Sequence, residues 1–339
     1  MKTDRAYLRY IRYTVQWGIL LFLIYAGYRF YSFVEYFLGQ GEAHSGNAIP
    51  GGRMPSIEGF LPIGALMSFK LWLTEGIFDS MHPAALVIFA AALLSAVLLK
   101  KGFCGWICPV GALSEAVWKL GRRLLGKNFV VPRYADYSLR SLKYILLAFF
   151  MFVVVVKMPS PAIMRFIEGD YYKIADVKML FFFTKMTVTT AVSLSLLFIF
   201  SLLYKNFWCR YLCPYGALLG LAGFLSPLKI KRNDKVCIHC GQCTKNCPSQ
   251  LRVEELGIVR SPECTGCLTC VSRCPAKGAL DVSLAGRKTV NPVVFACLIV
   301  ALFFGCIGIA KTANHWHSAV TYEEYQRIVP QAEHLDHPQ

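Results

Sequence analysis

Charge is what this sequence has least of. Only 17% of its 339 residues are charged, against 55% hydrophobic, and the mean hydropathy is +0.46; such proportions argue against a soluble protein and put much of the chain in lipid. Acidic residues are scarcer still, 20 against 36 Lys and Arg, for a net charge of +16. A surplus of that size often signals nucleic acid, but the chain lacks a polar, aromatic-interleaved domain to present it. The bases gather instead at the ends of apolar runs, so no nucleic-acid partner is expected. No pair of histidines falls within any of those runs, which argues against a membrane b-haem with two histidine ligands. No small-x-small cleavage site follows the first run, and that run is too long for the apolar part of a signal peptide, so it is expected to remain as an anchor.

Five segments approach the roughly 20 helical residues that a core of about 30 Å requires: 13–38, 83–99, 139–156, 180–204 and 290–310. The third carries Lys143 near one end and Lys157 at the other, and both are expected to snorkel to the interfaces. Residues 60–78 are apolar but interrupted by Pro62, Gly64, Lys70 and Glu75, which suits an interfacial or re-entrant helix better than a further span.

Lysine and arginine next to a span resist translocation. Lys2, Arg5, Arg9 and Arg12 precede the first span, whereas the following loop sets only Arg53 and Lys70 against Glu42, Glu58, Glu75 and Asp79. The loop after the second span carries Lys100, Lys101, Lys119, Arg122, Arg123, Lys127, Arg133 and Arg140, and segment 205–288 is basic as well. In the tail, Glu323, Glu324, Glu333 and Asp336 outnumber Lys311 and Arg327. The alternation predicts a cytoplasmic N-terminus and a periplasmic tail.

Against these shortages stand 14 cysteines, 12 of them in repeated tight spacings that no disulfide framework requires. Cys237, Cys240, Cys243 and Cys247-Pro248 spell C-x2-C-x2-C-x3-C-P, and Cys264, Cys267, Cys270 and Cys274-Pro275 spell it again. In such a run three cysteines wrap one cubane and the fourth serves the other. The expected ligand sets are Cys237, Cys240, Cys243 and Cys274 for one [4Fe–4S] cluster, and Cys264, Cys267, Cys270 and Cys247 for the second. Small and polar neighbours such as Gly241, Thr265 and Gly266 let backbone amides approach the sulfurs. Zinc has no use for the duplicated C-x3-C-P. The segment resembles a bacterial two-cluster ferredoxin over about fifty residues.

The second and fourth spans end alike, in Phe103-Cys104-Gly-Trp-Ile-Cys108-Pro109-Val-Gly111-Ala-Leu113 and in Trp208-Cys209-Arg-Tyr-Leu-Cys213-Pro214-Tyr-Gly216-Ala-Leu218. Two like-oriented copies imply a parallel repeat about an axis along the membrane normal. Proline after the second cysteine suits the first turn of a new helix, and the helix after the first copy has an amphipathic pattern. Cys104, Cys108, Cys209 and Cys213 are candidate redox or metal-binding residues beside helix N-termini, which lower thiol pKa values. Small packing residues at a turn, a thiolate pair within each loop, a metal held between the loops and a third iron–sulfur centre all fit the spacing. Cys297 and Cys306, nine residues apart in the fifth span, fall on opposite helix faces and are expected to be packing residues.

Together the spans, the two C-x3-C-P loops and the ferredoxin segment resemble the NapH/NosR/CcoG group of membrane polyferredoxins over roughly residues 80–285. The expected fold is therefore an all-α polytopic membrane protein of about five transmembrane helices, with a repeated helix plus C-x3-C-P unit and an inserted small α+β ferredoxin-like segment. Expected divisions are 1–228, membrane domain; 229–288, cytoplasmic ferredoxin segment; 289–310, last transmembrane helix; and 311–339, periplasmic tail. The large periplasmic flavin-binding domain of the NosR type and the C-terminal immunoglobulin-like domain of the CcoG type have no counterpart in these residues. The resemblance implies a quinol dehydrogenase component of anaerobic respiration in a bacterial inner membrane. It would pass electrons from quinol, quinone or menaquinone being the cofactor, toward a periplasmic cytochrome c, iron–sulfur protein or terminal reductase within a multi-subunit complex. The alternatives are a CcoG-type Cu(II) reductase using the C-x3-C-P thiols, and a non-catalytic electron conduit.

A quinol site needs a proton acceptor at the membrane edge. His82 beside Asp79, with His315, His317 and the Gly- and Pro-rich loop 46–64, make the candidate. The tail is expected to be a solvated terminus or an acidic dock for a redox partner.

Overall fold

The computed structural model describes residues 5–39 and 52–335. Lys2, Glu42, Asp336, His337 and residues 46–51 of the outer loop lie outside the described residues. Among the described residues three helices are long and apolar enough to cross a membrane: Tyr7–Phe37, Arg133–Lys157 and Pro292–Thr312. Pro83–Leu99 is as apolar, but its 17 residues reach only about 25 Å. The expected span at 180–204 is broken. Ala175–Thr184 and Val188–Leu203 meet at 78°, and Thr187 Oγ1 accepts the Thr190 N–H at 3.2 Å, capping a new helix at the break.

The chain divides into two compact units. The first gathers Met1–Leu20, Ala92–Ala148 and Leu194–Phe304. Its sheet consists of β1 (Leu228–Arg232), β2 (Ile258–Val259), β3 (Leu280–Leu284) and β4 (Lys288–Val290), antiparallel in the order β2-β1-β3-β4. Ile230 pairs with Val259 on one side and Val282 on the other, and all three are buried. Two short helices, Gln242–Lys245 and Thr269–Arg273, complete the ferredoxin segment.

Polar side chains from the helices and turns of this unit around it fasten that segment. Trp106 Nε1 donates to the Gly266 carbonyl at 3.0 Å, and Lys100 Nζ to that of Val259 at 2.8 Å. Asn206 Nδ2 reaches the Pro248 carbonyl at 3.3 Å, and Arg210 the Ser249 carbonyl. Lys143 does not snorkel. It is fully buried and lies 2.7 and 2.6 Å from the two carboxylate oxygens of Glu263. A buried cation needs a buried partner, and the ferredoxin segment supplies it.

Helix Pro109–Leu125 is amphipathic in an inverted sense. It buries Ser114, Glu115, Trp118 and Gly121 and exposes Leu113, Leu120, Leu124 and Leu125, as suits a helix lying in a lipid interface. Gly121 permits the tightest crossing: a Cβ there would stand 1.9 Å from the Leu202 carbonyl oxygen.

The second unit gathers Leu21–Ala91, Phe149–Ser193 and Gly305–Gln339. Its largest apolar cluster joins Phe30, Phe33 and Val34 to Ile174 and Val177, and to Tyr325, Ile328, Val329 and Ala332 of the tail. The tail is therefore not a loose solvated terminus. Helix Tyr322–Ile328 starts in a capping box of Thr321 and Glu324. Within the unit its Glu324 pairs with Lys173 at 2.6 Å and its Arg327 with Asp170 at 3.0 Å, and beyond the helix Glu333 pairs with Lys185.

Residues 60–78 contain a 14-residue helix, Pro62–Glu75. Its Lys70 Nζ donates to the carbonyls of Val154, Val155 and Met158 at 3.1, 3.0 and 2.5 Å, satisfying acceptors that a helix end leaves open. Cys297 is exposed and Cys306 half-buried, so Cys297 is not packed inside the chain as expected.

Candidate functional site

In the first unit, Cys237, Cys240, Cys243 and Cys274 line one cavity. A second is lined by Cys247, Cys264, Cys267 and Cys270. The grouping exchanges the fourth cysteine between the two runs. In each run the same two places are wound left-handed: His239 and Gly241 in the first, at φ 51° and 68°, and Gly266 and Leu268 in the second, at φ 59° and 56°. Left-handed residues within a turn aim successive amides into a concavity that suits an anion. For His239 and Leu268 that geometry costs about 1–2 kcal/mol each, strain of the kind kept at functional sites.

A third cavity takes both C-x3-C-P loops: Cys104, Cys108, Cys209 and Cys213 line it together. Each loop feeds a helix that begins at the following proline, Pro109–Leu125 and Pro214–Ala222. The Gly216 N–H donates to Cys213 Sγ at 3.2 Å. Gly111 and Gly216 hold equivalent places; a Cβ on the first would lie 2.5 Å from the Cys104 carbonyl oxygen, and on the second 3.4 Å from Cys213 Sγ.

The expectation that helix N-termini lower these thiols fails for three of them. Burial pushes Cys104, Cys108 and Cys209 up to about 12, because a dry site disfavours the thiolate more than the nearby charge and dipole favour it. Such thiols ionise when a cation holds them. Among the described residues, no three His, Cys, Asp or Glu side chains converge closely enough for a single metal ion. Four cysteines lining each cavity without converging on one ion fit a polynuclear iron–sulfur group better than zinc.

Spacing arguments missed the charged lining of the thiol cavity. Arg12, Lys101, Arg210, Glu115 and Glu263 all contribute to it. Arg12 pairs with Glu115 at 2.5 Å, and Arg210 with Asp136 at 2.8 Å. Glu115 is held below its ordinary value: burial raises it, but Arg12 and Lys119 outweigh that. Signals for this lining lay in the repeat itself, since Lys101 and Asn206 occupy equivalent positions, as do Gly105 and Arg210.

The candidate quinol pair is placed elsewhere, in the second unit. His82 is wholly buried, with Nδ1 2.8 Å from Arg53 Nη2 and Nε2 2.6 Å from the Tyr172 carbonyl oxygen. Nδ1 also lies 3.7 Å from Glu58 Oε1, so the imidazole sits between a guanidinium, a carboxylate and a backbone carbonyl. Asp79 accepts from Ser68 Oγ at 2.5 Å and from the Tyr172 hydroxyl at 2.7 Å, and caps Met81 and His82 at 2.8 and 3.1 Å. Arg53 joins Glu58 and Asp176, both at 2.8 Å. Neither His82 nor Asp79 lines the three cysteine cavities. The His315 ring stacks on Phe78 at 4.3 Å.

Comparison with known proteins places these features in context. A family described as "4Fe-4S binding domain" matches residues 81–128 and 186–233, and one described as "4Fe-4S dicluster domain" matches residues 229–275. The chain is similar to the putative electron transport protein YccM of Escherichia coli (strain K12), 43% identical over 333 residues that cover 96% of this chain and 91% of that protein. It is similar to the ferredoxin-type protein NapH of Haemophilus influenzae, 31% identical over 209 residues, 58% of this chain and 68% of NapH. With the regulatory protein NosR of Pseudomonas aeruginosa it shares 29% identity over 195 residues, 56% of this chain and 26% of NosR. No solved structure matches.

Proposed function

We propose, since the chain belongs to the NapH/NosR-type membrane polyferredoxins, that it moves electrons between the quinone pool of a bacterial inner membrane and a redox partner on the periplasmic side. The observation that carries this reading is the presence of three cysteine-lined cavities within one unit, two in the ferredoxin segment and one at the repeated loops. When bound, [4Fe–4S] groups supply one-electron carriers whose potentials respond to charge, hydrogen bonds and solvent exposure.

The chain's own residues supply the remainder. Cys237, Cys240, Cys243 and Cys274 hold one group, and Cys247, Cys264, Cys267 and Cys270 the other. Because each set draws on both runs, neither half of the segment holds its site alone. Trp106, Lys100 and Lys143 fix the segment to the helices around it. Among the described residues no His, Asp, Glu, Lys or Arg lines the Cys247, Cys264, Cys267 and Cys270 cavity, as suits a carrier rather than a site of bond chemistry, whereas Arg232, His239 and Glu254 join the cysteines of the other. His82 and Asp79 enter this proposal as a sealed polar network behind the membrane edge, since every hydrogen-bonding position noted above is already engaged.

Five crossings, with the ferredoxin segment cytoplasmic and the tail periplasmic, accord with the basic-residue alternation. In this arrangement Pro83–Leu99 and the bent pair are each one crossing. The donor is quinol, quinone or menaquinone being its oxidised form, and the acceptor a periplasmic cytochrome c, iron–sulfur protein or terminal reductase in a multi-subunit complex. Reduction of Cu(II) at the C-x3-C-P thiols is less well served, because no three of the described thiols converge on one ion.

The test is quinol oxidation by the holoprotein in vesicles with a soluble one-electron acceptor. Turnover that Cys267→Ser and Cys243→Ser each abolish is expected. No oxidation of quinol, together with Cu(II) reduction by the chemically reduced protein, would replace this reading with the metal-reductase one.

A further inference from the structure

Lys101 is 4% exposed and lines the thiol cavity. Its ammonium lies 3.4 Å from the place a Cβ on Gly216 would occupy, as does Cys213 Sγ. The cavity's other two cations, Arg12 and Arg210, each have a carboxylate partner. Of the two carboxylates in the lining, Glu115 is held by Arg12 and Lys119 and Glu263 by Lys143. Lys101 alone of the described lining cations has no carboxylate within ion-pair distance. Burying an ammonium without a counter-ion costs several kcal/mol, so the cavity is built for an anion. The groups whose charge acts on Lys101 are Cys104, Cys213, Cys209 and, beyond ion-pair distance, the Glu263 already held by Lys143. Four neutral thiols would leave most of its charge unanswered, whereas four thiolates around a [4Fe–4S] core carry net negative charge.

A second observation fixes where such a group would stand. Gly105 lies between Cys104 and Cys108, and a Cβ there would lie 2.7 Å from the Thr265 carbonyl oxygen, 3.3 Å from Cys267 Cβ and 3.4 Å from its Cα. The equivalent residue of the other copy is Arg210, whose long side chain reaches Asp136 and Ser249. The copies thus differ at this place in size and charge, and here the thiol cavity meets the ligand-bearing backbone of the second ferredoxin cavity. Pro248, Ser249 and Thr265, each next to or one residue beyond a cysteine of that cavity, line both.

We propose that Cys104, Cys108, Cys209 and Cys213 jointly hold a third iron–sulfur centre, of the [4Fe–4S] class, with Lys101 as its counter-charge and with Gly105 bringing it against the Cys247, Cys264, Cys267 and Cys270 site. Each copy of the repeat supplies two ligands, so neither copy is a site by itself. This rests on the iron–sulfur reading above, but not on quinol as donor. Only thiolates face the core, and the basic lining makes the centre easier to reduce than the same ligands would in a neutral site.

Iron and acid-labile sulfide, counted on the anaerobically purified 339-residue chain, test it. Three centres give about twelve irons and as many sulfides, two give about eight. Cys104→Ser and Cys209→Ser, one in each copy, should each bring the count to about eight and leave the electron paramagnetic resonance (EPR) signals of the ferredoxin centres in place. In an EPR-monitored redox titration, Lys101→Met should disfavour reduction of the third centre at least tenfold, 59 mV for one electron, and Lys101→Arg should restore it. If Lys101→Met loses the third signal outright, Lys101→Arg must recover it. About eight irons in the unmodified chain, or a count that neither cysteine variant lowers, overturns the shared centre. An unmoved potential in Lys101→Met, or no recovery by Lys101→Arg, overturns the role of Lys101. A chain with about twelve irons that quinol fails to reduce would refute the proposed donor and leave this inference standing.

Discussion

The ammonium of Lys143 lies 2.7 and 2.6 Å from the two carboxylate oxygens of Glu263, and Glu263 immediately precedes Cys264. One buried ion pair thus ties an apolar helix to the backbone that carries a cysteine of the second ferredoxin cavity. Tyr144 adds a hydrogen bond to the same carboxylate at 3.1 Å. Removing one partner strands the other charge. Lys143→Met is expected to cost about 3–5 kcal/mol, and Lys143→Met with Glu263→Gln to recover most of it. Thermal unfolding in detergent, followed by visible absorbance, measures both; a double variant no more stable than the single one would show that the pair is not the fastening.

Gly105 is required by space, its φ lying outside the left-handed region. Gly105→Ala forces the Thr265 carbonyl to move and should cost about 1–3 kcal/mol, with an altered EPR line shape for the adjacent ferredoxin centre. A Cβ on Gly27 would meet nothing within 4 Å, so Gly27→Ala should be neutral or gain up to about 1 kcal/mol. Equal effects from the two changes would remove the argument for close approach.

Glu115 supplies the pH dependence. Its folded pKa is depressed below the unfolded value, because the attraction of Arg12 and Lys119 outweighs the cost of burial. Its contribution to stability is therefore fully present above the ordinary carboxylate range and is lost as pH falls through the lowered folded value. Glu115→Gln should flatten the acid limb of the stability profile between those two values, while stability near neutrality drops. A profile parallel to that of the unaltered protein would contradict the assignment.

The tail belongs to the core of its unit. Ile328→Ala should cost about 2–5 kcal/mol, whereas Glu333→Gln, which breaks only an exposed pair, should stay within about 1 kcal/mol. Limited proteolysis reports the difference, as early cleavage in the tail of the first variant alone. Early cleavage in the unmodified chain would mean that the tail is not docked.

The cysteine groups were legible because their chemistry is local: three ligands and their turns fit within seven residues, and only the exchanged fourth cysteine needs a long-range contact. The two C-x3-C-P loops were legible as a repeat, and their convergence on one cavity follows from equivalent placement in the two copies. What escaped were partners chosen across the chain. Lys143 has the pattern of a snorkelling residue, and nothing near it in sequence announces Glu263. The break at Lys185–Thr187 hides in an apolar run because hydropathy is blind to a capping threonine. The tail's acids suggested a surface, since the lysines that neutralise them, Lys173 and Lys185, sit some 150 residues earlier. The thiol pKa values went the wrong way because burial, which sequence does not display, outweighs the helix ends.

The most direct test of the electron-carrier account is anaerobic EPR of the purified protein before and after addition of a reduced quinol, without any other reductant. The account predicts that reduced cubane signals appear with quinol alone, and that Cys267→Ser removes the second ferredoxin signal while the Cys237, Cys240, Cys243 and Cys274 site keeps its own. A protein that stays silent toward quinol, yet gives full cubane signals with a chemical reductant that Cu(II) then erases, would contradict it.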